Sequence, residues 1–455
     1  MIRVRQEYWA GRATFVLASI GAAVGLGNIW KFPYTLGSSG GSAFVLVYVL
    51  AIVLIATPIM LSEMIIGRRA RASAPTAMRA IAIEHGRSGR WSIVGWMGLL
   101  ALLLVFSFYS VIAGWTGAYL VKSITGQLAG HSGAEVAASF GAFLHDPWPM
   151  TGWHLLFTAA TVVIVARGIK SGLERITSYL MPALFMMLVA LVINSAIVGD
   201  FAKTLEFLFA PDPSKLTAAV VLAAVGQAFF SVNVGVGSVL TYASYLPKDV
   251  NLARSALTIS LGDTLVALLA GLAIFPIVFA NGLNPAEGPG LIFVTLSTAF
   301  AQMPAGDFLG AAFFLMILVA ALTSSISMLE TITARLSESP RCSRPVAAIG
   351  IGLLSAALGL ITVLSFSSWE HVYPLGDFAT FAQKTPFDLI DYLTANVLLP
   401  LGGLLFALFA GWRLTREVQV NELGVGDGVL FKLWLVLTRF IAPLAVAAVF
   451  FVNLA

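Results

Sequence analysis

Two long apolar segments of this chain are each interrupted by a short glycine-rich string. The strings run from Gly21 to Asn28 and from Ser231 to Ser238, and both contain the core Val-Gly-x-Gly. Irregular backbone at bilayer depth leaves N–H and C=O groups without water, so it persists only where it is buried or lines a site. One such string is typical of close helix packing through small residues. Two strings in matching halves instead favour a transporter with a binding site near the membrane midplane.

The composition indicates an integral membrane protein. Of the 455 residues, 59% are hydrophobic and 11% are charged, whereas soluble domains carry about 25% charged residues. A membrane-spanning helix needs roughly 20 apolar residues. We therefore predict a single all-α transmembrane domain over residues 1–455 with eleven spans. The predicted spans are 12–37, 42–66, 93–122, 152–167, 175–197, 216–243, 254–280, 308–336, 346–365, 387–412 and 432–454.

The basic residues concentrate on one side of the predicted membrane. Because cytoplasmic loops hold an excess of Lys and Arg, we predict a cytoplasmic amino terminus and an external carboxyl terminus. The net charge of +4 follows this bias, and without a basic tail or aromatic-interleaved patch it indicates no nucleic-acid partner. The basic clusters lie in 68–90, 167–175, 248–254, 335–344 and 413–432, and the opposite loops hold only Lys122, Lys203, Lys215 and Lys384.

The spacing of the two broken spans predicts an internal repeat. They are the first and sixth spans, so each unit contains five spans and the second unit runs inverted across the membrane. We place the first repeat at about 12–197, the second at about 216–412 and one extra helix at about 432–454.

The broken helices have ends that can bind charges. A helix break creates a partly negative carbonyl end and a partly positive amide end. Carbonyls from Gly21 to Val24 suit a small cation, and the amides of Leu26 and Gly27 suit a carboxylate. No acidic residue lies within either string. Gly25 leaves room for the carboxylate of the substrate, which favours amino acids over monoamines.

Several motifs, taken together and in order, resemble the neurotransmitter:sodium symporter family. The resemblance implies sodium-coupled symport of a neutral, hydrophobic amino acid into a bacterial cell across its cytoplasmic membrane, by alternating access and without an organic cofactor. Two alternatives stay open. The protein could take up another small carboxylated zwitterion or osmolyte with sodium, or it could be an amino-acid sensor that does not transport. Beside the glycine strings, the motifs are Lys31-Phe32-Pro33, Gly40-Gly41-Ser42-Ala43-Phe44, Arg167-Gly168-Ile169, Gly172-Leu173-Glu174-Arg175, Gly226-Gln227-Ala228-Phe229-Phe230-Ser231, Thr241-Tyr242-Ala243-Ser244-Tyr245 and Leu322-Thr323-Ser324-Ser325.

The resemblance implies two sodium ions. The first site would use Ala23, Asn28, Ser231 and Asp263 together with the substrate carboxylate. The second would use the carbonyls of Gly21, Val24 and Ala320 and the hydroxyls of Thr323 and Ser324. Hydroxyls in a membrane helix also commonly bond to their own preceding turn.

Asp263 departs from the family pattern, which commonly has Asn here. An ionisable group in a span is a functional candidate, and a carboxylate beside sodium would replace the charge that chloride supplies in relatives. Ala267 stands where chloride-dependent members carry Ser, so we expect no chloride requirement, although Tyr48, Gln227 and Ser231 still match chloride-site positions. Asp263 could also titrate, which leaves proton counter-transport open.

The resemblance also implies a substrate pocket and two gates. The pocket would be lined by Ala23, Gly25, Leu26, Gly27, Val105, Tyr109, Phe230, Asn233, Val236, Ser324 and Met328. The outer gate would comprise Phe230 as a lid and a Lys31–Asp391 charge pair bridged by water. The inner gate would comprise Trp9, Ser244, Tyr245, Glu330 and Glu338. The family Arg of this gate is replaced by Gln6, so the motif does not fix a pair between Arg5 and Glu338.

Two other classes of function fit the sequence less well. The five histidines show neither metal-ligand spacing nor a nucleophile–base pattern, which argues against a membrane enzyme. A passive channel needs rings of repeated polar groups, whereas the polar residues here form one localised constellation.

Overall fold

The structure is a computed structural model that describes residues 8–286 and 290–454, and its regular elements there are helices. Within that part of the chain, nine helices are long and apolar enough to cross a bilayer. The all-α membrane architecture predicted from the sequence is thereby confirmed. The nine helices, which we number spans 2 to 5 and 7 to 11, are Ser42–Ala70, Gly89–Ile124, Pro147–Ala166, Ile169–Val198, Leu252–Ala280, Gly306–Leu336, Arg344–Ser365, Pro386–Trp412 and Val429–Phe450.

Spans 1 and 6 are the broken ones, as predicted. Span 1 consists of Arg12–Ala23 and Gly27–Ser38, which meet at an angle of 50°. Span 6 consists of Ala218–Val232 and the shorter Ser238–Ser244. The division into two sequence repeats at 12–197 and 216–412 stays a prediction.

Span 4 starts earlier than the sequence indicated. Its helix begins at Pro147, because Asp146 caps it by accepting a hydrogen bond from the Trp148 amide at 3.0 Å. Proline is favoured in the first turn of a helix, where its missing N–H has no partner to lose. The predicted start at residue 152 was therefore too late.

Backbone conformation explains why span 6 breaks where it does. Asn233, Gly235 and Gly237 all have positive φ, of 56°, 90° and 78°. Glycine adopts this left-handed region without steric cost, and Asn tolerates it better than most residues. A Cβ on Gly235 would also lie 2.4 Å from the Leu399 carbonyl oxygen. Span 10 therefore packs directly onto the unwound linker.

The broken spans lie at the centre of the bundle. The first half of span 1 packs against spans 5, 7 and 8, and the second half of span 6 packs against span 2. Spans 3 and 8 pack along each other. Short helices connect the spans at Ala74–Glu84, Gly133–His145, Phe201–Phe209, Leu291–Gln302 and Arg416–Leu423.

Candidate substrate and cation sites

A small cavity lies between the two helix breaks. Ten of the eleven predicted pocket residues line it; Leu26 does not, and contributes its backbone amide instead. Three further residues line the cavity that were not predicted from the sequence, namely Ala22, Leu102 and Leu399. The complete lining is Ala22, Ala23, Gly25, Gly27, Leu102, Val105, Tyr109, Phe230, Asn233, Val236, Ser324, Met328 and Leu399.

Gly25 marks the polar end of this cavity. A Cβ at Gly25 would lie 2.4 Å from Ser324 Oγ and 2.5 Å from the Tyr109 hydroxyl. The Leu26 amide donates to the same Tyr109 hydroxyl at 3.1 Å. The Leu26 amide, the Tyr109 hydroxyl and the Ser324 hydroxyl thus lie close together beside Gly25. This geometry suits a small anionic group such as a carboxylate.

The rest of the cavity is mostly apolar. Leu102 lies two turns before Tyr109 on span 3, and Met328 lies one turn after Ser324 on span 8. Val236 belongs to the unwound linker of span 6 and approaches span 3, where a Cβ on Gly98 would meet the Val236 carbonyl at 2.5 Å. This end suits an uncharged side chain.

Asp263 is the centre of an oxygen cluster beside the cavity. Its side chain is fully buried in span 7. Ser231 Oγ donates to Asp263 Oδ2 at 2.6 Å, and the Tyr48 hydroxyl lies 2.9 Å from Ser231 Oγ. Among the described residues, no Lys or Arg forms an ion pair with Asp263. The cluster therefore holds an acidic group without a protein cation.

Asn28 joins this cluster through its amide nitrogen. Nδ2 donates to Asp263 Oδ1 at 2.8 Å and to Ser231 Oγ at 3.0 Å. Its Oδ1 instead accepts from the Gly25 amide at 3.3 Å. The resemblance implies that Asn28 offers its side-chain oxygen to a cation. In the structure the amide nitrogen faces the Asp263 carboxyl oxygens. The side-chain amide of Asn28 would have to rotate by a half-turn to present its oxygen there.

The five residues predicted for the second sodium meet where span 1 breaks against span 8. Ser324 Oγ donates to the Val24 carbonyl at 3.0 Å and lies 3.4 Å from the Gly21 carbonyl. Thr323 Oγ1 bonds back to the Ala320 carbonyl at 2.9 Å. A Cβ on Gly21 would lie 3.3 Å from Thr323 Cβ. The hydroxyl of Thr323 therefore lies next to the contact between Ser324 and the span 1 carbonyls. Freed carbonyls and hydroxyls of this kind suit Na⁺.

Glu63 braces the broken span 6. Its Oε1 accepts from the Gly235 amide at 2.6 Å and its Oε2 from the Leu240 amide at 3.3 Å. A Cβ on Gly67 would lie 2.0 Å from the Leu240 carbonyl, so spans 2 and 6 are in backbone contact. Glu63 thus satisfies amides that the helix break would leave unpaired.

On the side predicted to be external, an aromatic ring and a cation lie together. Lys31 Nζ lies 4.2 Å from the centre of the Phe230 ring, over the cavity. No ion pair within 4.0 Å joins Lys31 to Asp391 in the described residues. The water bridge between the two charges stays a prediction.

On the side predicted to be cytoplasmic, a hydrogen-bond network surrounds the second half of span 6. The Trp9 indole donates to the Tyr242 carbonyl at 2.9 Å, and the Tyr245 hydroxyl donates to Glu330 Oε1 at 2.9 Å. Glu330 is fully buried and forms an ion pair with Arg344. Arg344 was not predicted from the sequence. It lies at the start of span 9, and nothing in the local sequence indicates Glu330 as its partner.

Glu338 contacts residues other than the amino-terminal Arg with which the family motif would pair it. It accepts from the Ser73 amide and the Thr76 hydroxyl, each at 2.6 Å, and lies 3.5 Å from Arg335. Glu338 therefore caps the short helix Ala74–Glu84. Arg5 lies outside the described residues.

Comparisons with known proteins identify the family. The chain matches the model of the sodium:neurotransmitter symporter family over residues 6–138 and 135–454. It belongs to that family. It is 40% identical over 445 residues to the sodium-dependent transporter YhdH of Bacillus subtilis, covering 97% of this chain and 96% of YhdH. It is 34% identical to a sodium-dependent transporter of Haemophilus influenzae over 461 residues, covering 99% of this chain and 98% of that protein.

A solved structure extends the likeness to the fold. The crystal structure of MhsT in complex with L-phenylalanine matches with a TM-score of 0.90 and 42% sequence identity. The match covers 98% of this chain and 99% of MhsT. This family member is therefore a multi-pass sodium-dependent transporter, as the sequence predicted.

Proposed function

We propose that this transporter couples the inward movement of Na⁺ to the uptake of a neutral, predominantly hydrophobic L-amino acid. The observation that carries the proposal is the polar end of the cavity at Gly25, where the Leu26 amide and the Tyr109 hydroxyl converge. The substrate carboxylate binds at this polar end, and the uncharged remainder of the cavity accepts the side chain. The L-phenylalanine bound by MhsT supports the same class of substrate.

Coupling follows from the adjacency of the carboxylate and cation positions. The Gly25 amide is bonded to Asn28, which in turn bonds to Asp263. A substrate carboxylate at Gly25 would therefore lie beside the Asp263 cluster and share a cation with it. Substrate and Na⁺ then raise each other's affinity by the same factor, as linkage requires.

The other cation position stabilises the break in span 1. Ser324 links the Gly21 and Val24 carbonyls to span 8. A second Na⁺ held by these oxygens would fix span 1 against span 8 while the substrate is enclosed. The proposed orientation has the amino terminus in the cytoplasm of a bacterial cell and the carboxyl terminus outside.

The test is uptake into proteoliposomes that contain the purified protein. We expect labelled L-phenylalanine or L-leucine to accumulate under an inward Na⁺ gradient and to stop accumulating when choline replaces external Na⁺. Protein-free liposomes provide the control for leakage. Uptake that is unchanged in choline would contradict sodium coupling. Na⁺-dependent binding without any uptake would identify an amino-acid sensor instead.

A further inference from the structure

Arg439 is a charged residue within span 11. It is the eleventh of the 22 residues in that span, where the only other charged residue is Lys432, two turns earlier. A charged side chain within a membrane span costs free energy and marks a functional candidate. Among the described residues, no Asp or Glu forms an ion pair with Arg439. That part of the protein therefore leaves the guanidinium without an acidic partner.

Contacts with the end of span 10 hold the Arg439 side chain in place. Its Nε donates to the Gly411 carbonyl at 2.6 Å, and its guanidinium carbon lies 5.1 Å from the centre of the Trp412 ring. The Trp412 indole donates in turn to the Arg439 carbonyl at 3.3 Å. Within the described chain, the two terminal nitrogens of the guanidinium have no hydrogen-bond partner. Arg439 thus has a fixed position and donors left for a ligand.

The surface around this contact is apolar and exposed. The Trp412 and Phe440 rings are both exposed and meet edge to face, with their centres 5.5 Å apart. Leu433 and Val436 are exposed on the same side of span 11. Apolar surface of this kind on a transmembrane helix contacts lipid, and Trp is enriched where spans meet the membrane–water interface. Arg439, which is partly exposed, is therefore accessible to a lipid headgroup.

We propose that Arg439 and Trp412 form a binding site for the phosphate of an anionic phospholipid. A guanidinium binds phosphate through two parallel N–H donors, and the terminal nitrogens of Arg439 are available for this contact. Basic pockets between transmembrane helices bind anionic headgroups. Arg413, the exposed residue after Trp412, brings a second positive charge to this end of span 10. The exposed apolar side of span 11 accommodates the acyl chains, which favours a lipid over a dissolved phosphate.

The carbonyl of Gly411 offers a competing reason for Arg at this position. The last carbonyls of a helix lack intrahelical partners, and a basic side chain can satisfy one of them. Loss of such a cap lowers stability whichever lipid is present. A phosphate site instead produces a preference for anionic over zwitterionic headgroups, and this preference is lost with the guanidinium. The ratio of affinities for two lipids therefore separates the two roles.

The experiment measures lipid binding to the purified protein in detergent by native mass spectrometry, without substrate. Phosphatidylglycerol and phosphatidylcholine with identical acyl chains are compared. We expect Arg439→Gln to lower the affinity for phosphatidylglycerol relative to phosphatidylcholine by about fivefold, the scale for one basic residue near an anionic membrane surface. Arg254→Gln, which removes an exposed charge near the start of span 7, is the matched control and should keep the ratio. Inorganic phosphate should not displace phosphatidylglycerol.

The other outcomes contradict the proposal. An unchanged ratio in Arg439→Gln, or an equal fall in Arg254→Gln, would leave Arg439 as a helix cap only. Displacement of phosphatidylglycerol by inorganic phosphate at similar concentration would identify a dissolved anion as the ligand and overturn the lipid assignment. If Arg439→Gln does not fold, Arg439→Lys must lower the ratio, because an ammonium cannot form the planar bidentate contact. An unchanged ratio in Arg439→Lys would then overturn the proposal.

Discussion

The two oxygen clusters that flank the cavity differ in charge. The Asp263 cluster contains a buried carboxyl group, whose oxygens accept from Asn28 and Ser231. The cluster at Thr323 and Ser324 contains only carbonyl and hydroxyl oxygens. When its carboxyl group is ionised, the first cluster offers a full negative charge to a cation, whereas the second offers only the dipoles of its carbonyl and hydroxyl groups. An ionisable group in a membrane span costs free energy, so one that is present there is a functional candidate.

The clusters also differ in how they are connected to the substrate. Asn28 links the Asp263 cluster to the Gly25 amide, at the polar end of the cavity. The other cluster links span 1 to span 8 through Ser324. We infer that the charged cluster couples ion and substrate, whereas the neutral one holds the two spans together. The following variants test that division, from the largest expected effect to the smallest.

Replacement of Asp263 by Asn should have the largest effect. The change keeps the shape but removes the only charge of the cluster, and breaking a buried charge pair costs about 3–5 kcal/mol. We therefore expect Na⁺ affinity in substrate binding to fall by about a hundredfold or more. Na⁺ titration of labelled substrate binding measures this effect.

A second substitution checks the cause of that loss. Adding Ala267→Ser, one turn further along span 7, supplies the hydroxyl that chloride-dependent relatives carry. We expect the Asp263→Asn, Ala267→Ser protein to recover binding in chloride and to lose it in gluconate. Recovery in both anions, or full binding by Asp263→Asn alone, would contradict the role of Asp263 as a fixed charge.

Replacement of Tyr109 by Phe tests the substrate side of the comparison. The hydroxyl lies beside the carboxylate position, and a hydrogen bond to a charged group contributes about 1.5–3 kcal/mol. We expect substrate affinity to fall by roughly ten- to a hundredfold at saturating Na⁺. Tyr119→Phe is the matched control, because that hydroxyl is buried in the same helix without a partner. Equal affinity in both variants would place the carboxylate elsewhere.

The sequence could predict the helix breaks and most residues around them because the signals are local. Glycine strings in apolar segments and an acid in span 7 are visible without a fold. Leu399 and Arg344 could not be found in this way. Leu399 reaches the cavity only because span 10 packs on Gly235, and Arg344 acquires its role from Glu330 on another helix.

Side-chain orientation also lay beyond the sequence. The string Thr323-Ser324-Ser325 reads as one hydroxyl cluster, yet its members point in different directions. Ser324 bonds to span 1, Thr323 bonds back to its own helix, and Ser325 lies 2.9 Å from Thr161 on span 4. Which hydroxyl faces which neighbour depends on helix rotation, which packing of all the spans determines.

Loss of both hydroxyls at the neutral cluster should have a smaller effect than loss of Asp263. Thr323→Val with Ser324→Ala removes two ligands and little volume, at about 1–1.5 kcal/mol for each net interaction. We expect sodium-coupled uptake to be lost at physiological Na⁺ while the protein still inserts. Ser325→Ala, which removes a hydroxyl bonded to span 4, is the control and should retain uptake. Normal Na⁺ dependence in the double variant would mean that this cluster only packs.

Replacement of chloride by gluconate should have no effect on the unmodified protein. Two Na⁺ ions and a zwitterion in a cavity of low dielectric constant need a compensating negative charge. We propose that Asp263 is ionised when Na⁺ binds and supplies that charge, whereas a neutral residue at this position would require an anion from solution. The measurement is the initial rate of Na⁺-driven uptake in each anion at equal ionic strength. Strong chloride dependence would show that Asp263 is not ionised when Na⁺ binds, and the contrast drawn between the charged and the neutral cluster would then fail.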